Sequence, residues 1–406
     1  MKSVIKYLCF LCVLYIYMYS PPIKILYGGV NPFYILMAIS VIFYIKGGGD
    51  LRLYLKPFKT EITWFLCLVF FCVVRSGMEH DYVFIFKYVV SVVSVFVVIP
   101  FVLFLAKRIG KYSKDELIRA IMIVSAIASS ISMLCIFFPS FDSYVRNELI
   151  QYDEEDYLFE NFRRGFGIAA ALTSHYGYIQ GTVIAICPFF LKENKWFILF
   201  IPFIILSILI NARTGIIIAM WGIMVYSFVS RPKIALPLVA VVFIMYFYLE
   251  DIMIALNINP ETIAWIMDFI DQMEDISTGD FSSGAASRLA GDMVVWPSDV
   301  VEWLIGKGII LHHNSLTTKN TDIGWFIQLN YGGLFYLFIL YPTFVVMAKR
   351  LAKINLRTFM IIFAGTVVIV NTKSQIFPST GEFVFLMLLY FICVLDTRLI
   401  AVRKVE

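Results

Sequence analysis

Long apolar stretches fill most of this chain, and they are separated by short polar segments that are often rich in lysine and arginine. A helix needs about 20 apolar residues to cross a bilayer, and somewhat fewer where flanking side chains reach the headgroups. The pattern therefore predicts an all-α polytopic membrane protein with about 12 transmembrane helices. The predicted spans are 4–20, 26–45, 61–75, 82–106, 117–138, 168–191, 196–211, 215–230, 234–249, 322–347, 357–370 and 382–396.

One long interval breaks this pattern, the polar stretch from about Glu250 to Thr321. We predict a large non-helical loop outside the membrane at 250–321, and a shorter one at 139–167, within a single integral membrane domain that covers 1–406. Ordering a loop of about 70 residues costs conformational entropy, so a loop of this length is uncommon without a function. We therefore expect the chemistry of the protein in this region.

The distribution of charge predicts the orientation in the membrane. With the N-terminus inside, about 22 of the 33 basic residues lie in cytoplasmic segments, and about 22 of the 29 acidic residues lie outside. Both termini are then cytoplasmic, and the loops at 139–167, 211–215, 250–321 and 371–381 face outward. The outer loops are acidic, which excludes a nucleic-acid surface and is typical of a solvated exterior.

Composition agrees with a membrane location, because 60% of the 406 residues are hydrophobic and only 15% are charged. The seven cysteines all fall in apolar segments, so they indicate neither a disulfide framework nor a metal site. A transporter would show paired interrupted helices and ionisable groups at mid-membrane. Lys87 and His175 are the main candidates for such groups, and a snorkelling lysine and a structural histidine explain them more simply.

Four arginines at the predicted outer boundary are the candidate anion ligands: Arg163 and Arg164, which precede a span, Arg213 in a short turn, and Arg288 in the long loop. Guanidinium groups bind phosphate oxygens bidentately and stay charged, so such a cluster suits a diphosphate leaving group. Pairing with lipid headgroups or loop carboxylates is the alternative.

Three further residues could handle a proton at the same surface. Asp322 could accept the proton of a sugar hydroxyl, or it could cap the tenth span beside Thr321. His313 and His312 could assist substrate binding or simply form hydrogen bonds within the loop.

Several strings of residues add a resemblance to these observations. They are Arg288 followed by Trp296, Leu304-Ile305-Gly306-Lys307-Gly308, the run from Asp322 to Leu329, Gly332-Gly333-Leu334, Arg164-Gly165-Phe166, and Ala212-Arg213-Thr214-Gly215. Together they resemble the signature region of the O-antigen polymerase and ligase superfamily, with Ala212 replacing the serine of a Ser-Arg-Thr-Gly turn. The layout of the spans is also similar.

The resemblance implies a metal-independent glycosyltransferase of the bacterial inner membrane, with a GT-C-like architecture and no cofactor. Its substrate would be an undecaprenyl-diphosphate-linked oligosaccharide, held among membrane lipids, and a polysaccharide chain-length regulator is a further partner that the resemblance allows. Arg288, Arg213 and Asp322 would be catalytic, and Arg164, Arg163, His313 and His312 would bind substrate.

Within the superfamily, the start of the helix after the large loop separates two branches. Ligases show a His-Asn pair there, whereas this chain has Asp322-Ile323, and its His312-His313-Asn314 lies about ten residues earlier. This difference favours a Wzy-type polymerase. The alternatives are an O-antigen ligase that transfers glycan to lipid A–core and a flippase for lipid-linked oligosaccharides.

Overall fold

The structure is a computed structural model of the 406-residue chain. It describes residues 2–24, 31–79, 82–109, 112–150, 167–169, 174–190, 195–229, 248–251, 253–255, 258, 260–264, 266–268, 293–311, 321–378 and 381–403. Helices dominate these residues, and they contain no β-strand; Ile23 and Ile150 form an isolated antiparallel bridge. The predicted all-α class is therefore confirmed.

Fifteen α-helices have fully described bounds. They are α1 (Lys2–Tyr19), α2 (Pro32–Ile45), α3 (Leu51–Leu55), α4 (Lys59–Glu79), α5 (Tyr82–Val93), α6 (Ile99–Ile109), α7 (Lys114–Phe137), α8 (Pro139–Tyr144), α9 (Ser174–Ile186), α10 (Ile201–Asn211), α11 (Thr214–Val229), α12 (Val300–Ile305), α13 (Gly324–Lys353), α14 (Arg357–Asn371) and α15 (Glu382–Arg403). A π-helical turn at Ser94–Val98 joins α5 to α6, and a 3-10 turn at Lys195–Phe200 precedes α10.

Within the described residues, four helical stretches are long and apolar enough to cross a membrane: Leu51–Glu79, Phe84–Arg108, Lys114–Phe137 and Gly324–Lys353. The other apolar helical segments are 10–17 residues long, which is shorter than the length that a transmembrane helix normally needs. Each predicted span has a helix at its position except 234–249, of which the structure describes only residues 248 and 249. The helices are thus those of a membrane protein.

The prediction that the interval 250–321 is non-helical is wrong. In the interval 250–321 the structure contains α12, and residues 253–255, 260–264 and 266–268 are also helical. The shorter loop begins with α8 and a π-helical turn at Val145–Leu149. α12 has a sequence signal in Asp299, its N-cap residue, whose side chain accepts a hydrogen bond from the Glu302 amide at 2.9 Å.

The chain forms two compact units, and each is described by itself. The first contains Met1–Lys46 and Phe101–Asp271, and the second contains Gly47–Pro100 and Gln272–Glu406. In the first unit, α9 and α11 approach very closely, because a Cβ on Gly181 would lie 2.1 Å from the carbonyl oxygen of Gly215. Small residues at such a crossing let membrane helices pack backbone against backbone.

In the second unit, α13 is not one straight helix. Gly333 has φ 63° and ψ −164°, which is not helical. The Tyr341 hydroxyl donates to Gln328 Oε1 at 2.7 Å, and the rings of Tyr341 and Trp325 stack 5.0 Å apart. Thirteen residues of straight helix would separate Gln328 from Tyr341 by about 20 Å, so the chain folds back at Gly333. The predicted span at 322–347 is therefore helical but interrupted at Gly333, and its second segment, 334–353, contains Pro342.

Candidate functional site

The structure describes two of the seven predicted site residues, Arg213 in the first unit and Asp322 in the second. The predictions for the other five fall outside the described residues: Arg163, Arg164, Arg288, His312 and His313. In the part of the chain that the structure describes, no group of three or more His, Cys, Asp and Glu side chains is placed to hold a metal ion.

Arg213 lies in the two-residue turn between α10 and α11. The amide of Gly215 donates to the carbonyl of Ala212 at 3.0 Å, which closes the turn. The turn is held at both sides: Asn211 donates from Nδ2 to Ser132 Oγ at 2.9 Å, and a Cβ on Gly177 would lie 2.3 Å from the Ala212 carbonyl oxygen. The backbone that carries the guanidinium group is thus fixed at a helix end.

The Arg213 guanidinium group forms an ion pair with Asp268. The distance between Arg213 Nη1 and Asp268 Oδ2 is 3.4 Å, which is long for a charge-assisted hydrogen bond. The Arg213 side chain is 13% exposed, whereas that of Asp268 is 54% exposed. Arg213 thus pairs with a carboxylate, as one of the predicted alternatives has it, and the partner is exposed to solvent.

Asp322 does not cap the helix that follows it. α13 begins at Gly324, its N-cap position is Ile323, and no side chain provides a capping hydrogen bond there. The local turn depends on Thr321, whose hydroxyl accepts from the Ile323 amide at 3.1 Å and donates to the Met293 carbonyl at 2.7 Å. The half-buried Asp322 carboxylate is accordingly not required for helix capping.

The string Leu304-Ile305-Gly306-Lys307-Gly308 packs against the break in α13. The amides of Lys307 and Gly308 donate to the carbonyls of Asn330 and Tyr331 at 2.5 and 2.8 Å. These two carbonyls precede Gly333, where the helix is interrupted, so the loop supplies donors for acceptors near the break. The two strings that the sequence singled out separately, 304–308 and 332–334, thus form one structural feature.

Arg75 also binds the string 304–308 beside the break in α13, and the sequence did not predict this role. From the last turns of α4, its Nε and Nη2 atoms donate to the carbonyls of Ile305 and Gly306 at 3.1 and 2.8 Å, and its Nη1 lies 2.9 Å from Glu79 Oε1. The position of Arg75 could have indicated such a contact, because a charged residue at the end of an apolar span normally has a specific partner.

The chain matches no family model, and a search of curated proteins finds no significantly similar sequence.

Proposed function

We propose that the protein is an O-antigen polymerase that joins undecaprenyl-diphosphate-linked repeat units at the outer face of a bacterial inner membrane. The observation that carries this proposal is Arg213, a guanidinium group held at the junction of two apolar helices by glycine contacts and ion-paired, at 3.4 Å, with the solvated carboxylate of Asp268. Such a group suits a lipid-linked diphosphate, whose charge lies at the membrane surface while its polyprenyl chain lies in the bilayer.

The reaction is a glycosyl transfer that needs no metal. The hydroxyl oxygen of the acceptor sugar attacks the anomeric carbon of the donor, the bond from that carbon to the diphosphate oxygen breaks, and undecaprenyl diphosphate leaves with the electron pair. Arg213, with Arg288 and Arg164, stabilises the charge that develops on the diphosphate. Asp322 accepts the proton of the attacking hydroxyl, a role that its position outside the helix cap supports.

The proposal includes a particular topology. About twelve spans cross the inner membrane in a GT-C-like arrangement, both termini are cytoplasmic, and the interval 250–321 lies on the outer side with the arginines. A polysaccharide chain-length regulator would be a partner on that side.

The test is the lipopolysaccharide banding pattern of a strain from which the gene has been deleted. Loss of a polymerase leaves core carrying a single repeat unit, whereas loss of a ligase leaves core carrying none. A deletion pattern of the second kind would replace the polymerase proposal with the ligase alternative, and an unchanged long ladder would overturn both.

Complementation with variants then tests the arginines. Arg213→Ala and Arg288→Ala are expected to abolish the long ladder at normal protein levels, because the diphosphate loses its stabilisation. Arg146→Ala is the matched control, since Arg146 also belongs to a predicted outer loop but pairs with Asp142 at 2.6 Å. A long ladder in the Arg213 variant, or its loss in the Arg146 variant alone, would contradict the assignment.

A further inference from the structure

The helix α12 leaves several large apolar side chains uncovered. Val300 is 73% exposed, Val301 is 62% exposed and Leu304 is 44% exposed. At helical spacing these three residues lie on one side of the helix. Trp296, just before the helix, is 58% exposed, which makes the surface larger. We refer to these four residues as the apolar face of α12.

The other side of α12 is polar. Glu302 accepts hydrogen bonds from the amide and hydroxyl of Ser298 at 2.7 and 2.6 Å, and it lies 3.5 Å from Lys307 Nζ. Partial burial raises the pKa of Glu302, but the hydrogen bonds from Ser298 and the charge of Lys307 outweigh it and hold the pKa below its usual value. The helix is therefore amphipathic, with an ionised carboxylate opposite the apolar face.

The position of α12 along the membrane normal follows from its contact with Gly333. A Cβ on Gly333 would lie 2.4 Å from the carbonyl carbon and oxygen of Leu304, so the end of α12 touches the break in α13. The same end of α12 contacts Arg75, a charged residue in the last turns of the apolar helix α4, whose Nε and Nη2 atoms donate to the carbonyls of Ile305 and Gly306. Leu304 therefore lies at the boundary between hydrocarbon and headgroups.

The surface beside this point is exposed and apolar as well. Phe335 and Phe338, in the first turns after the break, are 54% and 70% exposed on a helix that is apolar enough to span a membrane. Exposed phenylalanines on such a helix face lipid. The apolar face of α12 thus continues a lipid-facing surface at the depth where tryptophan is enriched in membrane proteins.

We propose that α12 is an interfacial helix, with Trp296, Val300, Val301 and Leu304 inserted among the headgroups and upper acyl chains of the outer leaflet. The Arg75 bonds to Ile305 and Gly306 hold the end of this helix against the transmembrane part of the second unit. The long outer loop is then attached to the bilayer in its C-terminal third. The interfacial position of α12 rests on depth, exposure and amphipathicity and not on the enzymatic proposal, whereas its assignment to the outer leaflet rests on the topology proposed above.

The test is photo-crosslinking of the full-length chain in vesicles of phosphatidylethanolamine and phosphatidylglycerol. A benzophenone amino acid replaces Val300, Val301, Phe338 or Ser298 in separate variants, and mass spectrometry after irradiation measures phospholipid adducts. We expect Val300 and Val301 to give adducts at the yield of Phe338, the transmembrane reference. Ser298, which binds Glu302 on the polar side, is expected to give a yield at least about fivefold lower.

Each other outcome overturns the proposal. Yields at positions 300 and 301 as low as at Ser298, beside a strong signal at Phe338, would place the helix in water. Equal yields at all four positions would refute the orientation, and adducts to protein in place of phospholipid would assign the face to a protein partner. Because Val300 and Val301 are both well exposed, their replacement removes little packing, and the thermal unfolding midpoint of each variant checks this.

Discussion

Arg213 and Asp268 form one ion pair, but we expect substitution of the two residues to affect activity differently. An ion pair with a solvated partner contributes about 0–1 kcal/mol, so Asp268→Asn is expected to shift the thermal unfolding midpoint by no more than about 3 °C. The same variant is expected to keep a long glycan ladder, because the proposed diphosphate ligand is Arg213, and the Asp268 carboxylate beside it is exposed to solvent. Differential scanning fluorimetry and the lipopolysaccharide pattern measure the two effects. Loss of the ladder in Asp268→Asn would show that the pair itself is needed.

Asp322 and Thr321 are adjacent, but we predict that substitution of Asp322 affects activity, whereas substitution of Thr321 affects stability. Asp322→Asn removes a proton acceptor that is not the helix cap, so we expect loss of the long ladder. Thr321→Ala deletes a hydroxyl that bonds both Met293 and Ile323, and it should cost about 1–3 kcal/mol of stability. Thr321→Ser, which keeps the hydroxyl, is the matched control. A full ladder in Asp322→Asn would remove this residue from the proposed mechanism.

At the scale of elements, the fold-back at Gly333 is the feature with the sharpest consequence for stability. A side chain at position 333 would have to accommodate a positive φ of 63°, and its Cβ would lie 2.4 Å from the carbonyl carbon and oxygen of Leu304. The combination of φ 63° and ψ −164° is essentially restricted to glycine and costs an alanine about 1–3 kcal/mol, and the contact with backbone atoms cannot be relieved by a rotamer change. Gly333→Ala should therefore destabilise the protein by more than about 3 kcal/mol, measured as folded yield in detergent and as the unfolding midpoint.

Gly77 provides the control for this prediction. It lies in α4, and a Cβ built on it meets nothing within 4 Å. Gly77→Ala should stabilise the protein by about 0.5–1 kcal/mol, because alanine loses less backbone entropy than glycine in a helix. If Gly333→Ala and Gly77→Ala shifted the unfolding midpoint equally, the close contact between Gly333 and Leu304 would not be important for the stability of α13.

For the whole molecule, hydropathy predicted where the helices lie but not how α13 folds. The apolar run continues through Gly332 and Gly333, so hydropathy along the sequence predicts one uninterrupted span. The fold-back depends instead on side-chain contacts such as that between Gln328 and Tyr341. The Gly-Gly pair was the local signal, since glycine tolerates the positive φ that a sharp break needs. The sequence also placed the Arg213 turn correctly, because apolar segments end on both sides of it.

The candidate site was less predictable for a similar reason. Asp268 lies 55 residues from Arg213, and Arg75 lies more than two hundred residues from the carbonyls of Ile305 and Gly306, so no local pattern connects them. Such pairings depend on tertiary packing, whereas spans and turns depend on local composition. Asp322 was ambiguous between a cap and a functional group because the sequence cannot fix a helix start to within one or two residues.

The predicted span at 234–249 determines the orientation of everything after it. Arg231 and Lys233 precede this stretch and favour the cytoplasmic side, while Glu250 and Asp251 follow it. Fusions of alkaline phosphatase after Lys233 should be inactive, and fusions after Asp251 should be active, because the enzyme folds only outside the cytoplasm. A fluorescent protein fused to the C-terminus should fluoresce, since the terminus is then cytoplasmic. An inactive phosphatase after Asp251 would place the interval 250–321 inside and remove Arg288 from the side where a polymerase needs it.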